Sequence, residues 1–171
     1  SNSQGARGHD FRAALQRGHR LGVIACSDTH ETQPGMSGLT CVQAPELTRE
    51  ALWDALYQRA CYATTGARIL FDFELEGVPM GGETFLAPGT PLQARVEVHG
   101  EAPLEALEIL QDGRVVATRF LTALDHVETI DLGPYSGLST SIYARVRQLD
   151  QHRAWTSPIW IDPAARANPA L

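Results

Sequence analysis

From Ile69 onward apolar and polar residues alternate, the two-residue period of strands with one face buried. Ile69, Phe71, Phe73 and Leu75 interleave with Leu70, Asp72, Glu74 and Glu76. The pattern returns where Leu92, Ala94, Val96 and Val98 interleave with Gln93, Arg95, Glu97 and His99, which puts His99 on the polar, solvated face. It returns again where Ile142, Ala144 and Val146 interleave with Tyr143, Arg145 and Arg147. Leu104 to Leu110, Val127 to Leu132 and Ala154 to Ile161 read as further strands. Gly77 to Gly82, with Pro79 inside, and Gly133-Pro134 are breaks. Between Leu110 and Arg114, Asp112-Gly113 suits a two-residue type I′ hairpin that pairs Gln111 with Arg114 and Leu110 with Val115. About seven short strands at this spacing predict an antiparallel sandwich of immunoglobulin-like or fibronectin-like architecture.

Pro158 cannot donate to a ladder, so it belongs on an edge strand or at a bulge. Trp155 and Trp160 stand five apart and would face opposite sides of a regular strand, whereas a bulge at Pro158 would return them to one face. Packing of at least one indole is favoured over an exposed carbohydrate platform, because each buries a large area.

The first third of the chain is patterned differently. Asp10 offers an N-cap to a short helix with Phe11, Ala14 and Leu15 on one side and Gly18 as its stop. Leu21 to Ala25 is an apolar run of strand length ending in the polar tip Ser27-Asp28-Thr29-His30. Glu31 to Gly38, with Pro34 and two glycines, is a loop, and Leu39 to Ala44 is another short strand. Thr48 caps a helix reaching about Ala60, with Leu52, Ala55 and Leu56 on its buried side and Trp53 and Tyr57 flanking.

On an extended backbone Asp28 and His30, two apart, point to the same side. A carboxylate and an imidazole converging there suit Zn, Mn or Fe better than Ca. The plainer alternative is a strand end at which the Asp caps a turn and the His packs or hydrogen-bonds. Cys26 could add a thiolate on that face, although Cys26, Cys41 and Cys61 form no C-x-x-C pair and read first as small buried hydrophobes. Thr64, Thr65 and Arg68 are weaker candidates for contact with an oxyanion.

At 171 residues and 43% hydrophobic content the chain holds one good core or two small ones. A formal charge of −6 gives no basic footprint for nucleic acid or an anionic membrane. All the basic residues are Arg, and they form no cluster along the chain. No apolar run approaches the ~18 residues of a membrane span.

Several stretches together resemble the last part of a metallohydrolase of the PHP type, the polymerase and histidinol phosphatase superfamily. They are Arg17-Gly18-His19-Arg20-Leu21-Gly22, Ser27-Asp28-Thr29-His30, Gln33-Pro34-Gly35, the run from Leu47 to Leu56, and the run from Cys61 to Arg68. The chain is most similar to the bacterial branch near carbaryl hydrolase-like metallo-hydrolases, whose β-rich tail closes on a pattern matched by Ala154-Trp155-Thr156-Ser157-Pro158-Ile159-Trp160.

The resemblance implies that Asp28 and His30 are metal ligands for divalent Zn, Mn or Fe. It implies a fold in which residues 1–67 are the carboxyl-terminal fragment of an α/β barrel, 68–162 a β-sandwich and 163–171 a loose tail. The family's opening His-x-His and its intermediate His and Glu ligands have no counterpart here, so the site in this chain would be incomplete. The expected partners are upstream barrel strands of a parent chain and a small ester-like substrate, with a second copy of the stub as a further possibility. A phosphoesterase or ester hydrolase silent in this piece alone is the leading function. A β-sandwich binding module without catalysis is the alternative.

Overall fold

A computed structural model describes residues 11–28, 30, 35 and 37–164. In chain order they form α1 (Phe11–Gln16), β1 (Leu39–Val42), α2 (Arg49–Tyr57), β2 (Cys61–Thr64), β3 (Leu70–Leu75), β4 (Val78–Pro79), β5 (Glu83–Leu86), β6 (Pro91–His99), β7 (Leu104–Gln111), β8 (Arg114–Phe120), β9 (Asp125–Pro134), β10 (Thr140–Gln148), β11 (Arg153–Thr156) and β12 (Ile159–Pro163).

The two-residue period becomes a two-layer fold. Phe71, Phe73 and Leu75 of β3 and Ala94, Val96 and Val98 of β6 turn inward from a four-stranded antiparallel sheet ordered β4-β3-β6-β9. Facing them are Leu107, Ile109, Ile142, Ala144, Ala154, Ile159 and Ile161 of an eight-stranded sheet. These side chains make one continuous apolar core between the sheets, the defining layer arrangement of a β-sandwich. The Asp112-Gly113 hairpin forms as expected. Both residues have positive φ, 49° and 78°, and Gln111 pairs with Arg114 and Leu110 with Val115.

The large sheet branches. One edge of β10 holds β7, which carries β8. The other edge is shared by β11, paired over Arg145–Arg147, and β12, paired over Thr140–Ile142. Between Arg145↔Trp155 and Ile142↔Ile159 the register steps by one residue, so Ser157-Pro158 inserts the extra residue of a bulge. The step keeps Ala154, Thr156, Ile159 and Ile161 in the core and brings Trp155 and Trp160 to the same outer face. There α1 covers them, with Leu15 packed among Leu110, Tyr143 and Trp160 and the Phe11 ring edge-on to Tyr143 at 6.2 Å. The indoles are therefore packed rather than offered as a platform. Asp10, the expected cap of α1, lies outside the described residues.

Beyond the branch, β12 takes β5 in parallel, while β11 takes β2 and β2 takes β1, both antiparallel. These pairings do not show a barrel fragment. The short strands β1 and β2, before residue 67, extend the sandwich's larger sheet. Gly81 is required where β5 begins, since at φ 84° a Cβ would meet the Arg59 carbonyl oxygen at 2.4 Å.

Two further expectations change. Leu21–Ala25 is not a ladder strand; its Val23 and Ala25 N–H groups donate to the side-chain hydroxyls of Ser157 and Thr40. In α2 the Thr48 cap is present, its hydroxyl accepting from Ala51 N–H at 3.2 Å, but of the apolar residues expected inside only Ala55 is buried. Cys61 is buried, Cys41 partly so, and Cys26 is exposed.

Candidate functional site

The segment that carries Asp28 and His30 is fastened by side chains. Val23 N–H donates to Ser157 Oγ at 3.0 Å, and Ser157 Oγ donates to the Cys61 carbonyl at 2.6 Å. The Cys61 thiol lies 3.5 Å from the Val23 carbonyl, and burial pushes its pKa up. Two residues on, Ala25 N–H donates to Thr40 Oγ1 at 3.0 Å while the Thr40 hydroxyl donates to the Ala25 carbonyl at 2.8 Å. Gly38 admits the close approach, since a Cβ there would lie 2.7 Å from the Cys26 carbonyl oxygen.

Upstream, Arg20 forms ion pairs with Glu83 and Asp162, which raises its own pKa and holds the Asp162 carboxyl below its usual range. Arg59 also pairs with Glu83, at 2.8 Å, and lies 5.0 Å from the Trp160 ring centre, within cation–π range. The segment is thereby attached to β1, β2, β5 and the bulge.

Its outward side is apolar and then polar. Ile24 is 68% exposed, and Cys26, Asp28 and His30 are exposed beyond it. The strand argument does not reach both proposed ligands, because Asp28 has φ 51°, in the left-handed region, where alternation no longer fixes which way the next side chains point. Thr29 lies outside the described residues. Among the described residues no three or more His, Cys, Asp or Glu side chains cluster so as to hold a metal ion. Asp28 and His30 supply one carboxylate and one imidazole, chemically apt for Zn, Mn or Fe but two ligands short of a closed tetrahedral set.

The weaker candidates have structural partners. Thr64 is buried and its hydroxyl accepts from Gly66 N–H at 3.1 Å, while Thr65 Oγ1 meets His152 Nδ1 at 3.0 Å and accepts from Arg153 N–H at 2.9 Å. Arg68 is exposed.

A second constellation, on the outer face of β6 and β9, is not apparent from the linear pattern. His99 shares hydrogen bonds with Asp125 at 2.9 Å and Glu97 at 3.2 Å, and Arg95 pairs with Glu97 at 2.6 Å. On the opposite, core-side face of β9, where Glu128 pairs with Val96 and His126 with Val98, His126 meets Glu128 at 3.0 Å, and Arg119 of β8 reaches across from the other sheet to bind both oxygens of that carboxylate at 2.8 and 3.1 Å. The signal that could have found it is register, since pairing His99 with Asp125 sets alternating charges side by side across the ladder. Hydrogen bonding to Asp125, then to Glu97, raises the His99 pKa, and Arg95, then His99, lowers that of Glu97. Each acid here is matched by a base, the chemistry of a charged ladder and not of a reactive centre.

Comparison with known proteins adds sequence relatives. The model of a family described as a protein of unknown function, DUF3604, matches residues 9–74. An uncharacterized protein of Chlamydia pneumoniae is 38% identical over 141 residues, covering 73% of this chain and 23% of its own length. One of Chlamydia muridarum is 32% identical over 178 residues, covering 88% of this chain and 28% of its own length. The chain thus spans about a quarter of the curated relatives it matches. Among solved structures it is similar to the fibronectin(III)-like modules of Clostridium thermocellum CbhA, at 17% identity and a TM-score of 0.40, over 54% of this chain and 98% of that one. Among the described residues no helix is long and apolar enough to cross a membrane.

Proposed function

We propose that this chain is the carboxyl-terminal portion of a PHP-type metal-dependent hydrolase of phosphoester or related ester bonds, and that Asp28 and His30 are two of its metal ligands. The observation that carries the reading is the Asp28-x-His30 pair itself, exposed at the outer end of a segment anchored to the sandwich on its other side. Relatives about four times as long are consistent with the remaining ligands belonging to a part of the protein not present here. A bound divalent ion would supply Lewis acidity and a water of lowered pKa. The chain's own residues would fix the carboxylate and imidazole through the Ser157 and Thr40 hydrogen bonds behind them. In this reading residues 1–67 bring the Asp28-x-His30 motif to a barrel formed with the rest of the protein, while β1 and β2 join that part to the immunoglobulin- or fibronectin-like sandwich that buttresses it.

The test uses the full-length polypeptide its gene encodes, with metal content measured by mass spectrometry and hydrolysis assayed on a phosphodiester and aryl-ester panel. Asp28→Ala and His30→Ala are each expected to lower metal occupancy about tenfold or more and to abolish turnover, while the isolated chain binds metal weakly and turns nothing over. Unchanged metal content and activity in both variants would overturn the proposal and leave a sandwich that acts as a binding module.

A further inference from the structure

The α2 helix presents its apolar face outward. Trp53 is 69% exposed, Tyr57 79% and Leu47, in the turn before the helix, 90%. Leu47, Leu52, Trp53 and Leu56 line one open groove of about 840 Å³, rimmed by Arg49, Glu50 and Asp54. Spacings of three and four place Leu52, Trp53, Leu56 and Tyr57 on adjoining ridges of the helix, while Ala55 alone is buried on the side toward the sandwich. An indole, a phenol and several leucines exposed together exceed the scattered apolar residues normal on a protein surface and mark an interaction site.

The undescribed parts of this chain are poor in apolar side chains. Residues 1–10 hold no apolar side chain larger than Ala, 165–171 contain a single Leu, and 29–36 a single Met. What is available in the relatives is length, because the matched region is only 23–28% of each of them, and the residues matched by the family model include α2.

We infer that the outward face of α2 is a docking surface for the remainder of a relative-length polypeptide, which seats apolar side chains between Trp53, Leu52 and Leu56. This rests on the fragment part of the proposed function and not on its metal chemistry. Intramolecular docking explains why a hydrophobic face is left bare here, and why the helix is amphipathic on the side opposite to the one it buries.

Hydroxyl-radical footprinting of the 171-residue chain and of the full-length polypeptide from its gene tests the inference. In the short chain Trp53 and Tyr57 should label rapidly. In the long one their labelling should fall to that of Trp160, which is buried in the sandwich and serves as an internal reference. Trp53→Asp with Leu56→Asp should leave the melting temperature of the short chain unchanged but restore labelling of Tyr57 in the long one. Equal labelling of Trp53 in both forms would overturn the inference. So would a gene that encodes no more than these 171 residues, or protection in the short chain that appears only on dimerisation. Protection of α2 in a full-length protein whose metal content is insensitive to Asp28→Ala would sink the hydrolase reading and leave the docking surface standing.

Discussion

His99 sits between two carboxylates, and its titration reports on that clamp. Its pKa lies above the ordinary 6.5, chiefly through the Asp125 hydrogen bond. A raised folded-state pKa means that protonated His99 stabilises the fold fully below about pH 6.5, an effect lost as pH rises through the elevated midpoint. The ring is well exposed, so the contribution is small. An NMR titration of the imidazole carbons should place the midpoint above 6.5, and Asp125→Asn should bring it down; a midpoint indifferent to that change would refute the clamp. Ser157 is a different case, fully buried and hydrogen-bonded on both sides, to Val23 N–H and to the Cys61 carbonyl. Ser157→Ala leaves both backbone groups without that partner and should cost about 1–3 kcal/mol in urea unfolding, with faster amide exchange at Val23. That role was invisible in the sequence, because a serine before a proline looks like turn chemistry until the bulge aims its hydroxyl across the sheet.

At the scale of elements, α1 is too short to be helical by itself. Its six residues hold their form because Leu15 and Phe11 rest on Leu110, Tyr143, Trp155 and Trp160. Leu15→Ala should therefore destabilise the protein by about 2 kcal/mol and shift tryptophan emission to longer wavelength, as water reaches the indoles. An unshifted spectrum would show that α1 does not shield them. The strands were legible wherever one face meets the core: β3, β6 and β10 bury the residues their alternation assigns. Tyr143 breaks its own pattern, buried on the outer face because a helix far away in sequence lies over it. Periodicity identified α2 but not its neighbours, so it put Leu56 inside where the structure has it exposed. Leu21–Ala25 is a related case, since its backbone bonds the Ser157 and Thr40 hydroxyls and not a neighbouring strand's backbone.

For the whole molecule, the sandwich followed from local pattern because each of its strands carries its own half of the instruction. The candidate site did not. Asp28 in a left-handed conformation ends the alternation that had aligned it with His30, and the cross-strand charge ladder depends on a register no single stretch encodes. The branch in the large sheet has one more consequence. β2, which carries β1 on its far edge, is fastened to β11 and the bulge, with Cys61 and Ser157 bonded across 96 positions of chain. During synthesis, then, β1 and β2 must wait, unlatched, until β11 emerges. A truncation that removes β11 and β12 should release β1 and β2 while β3, β6 and β9 still pair.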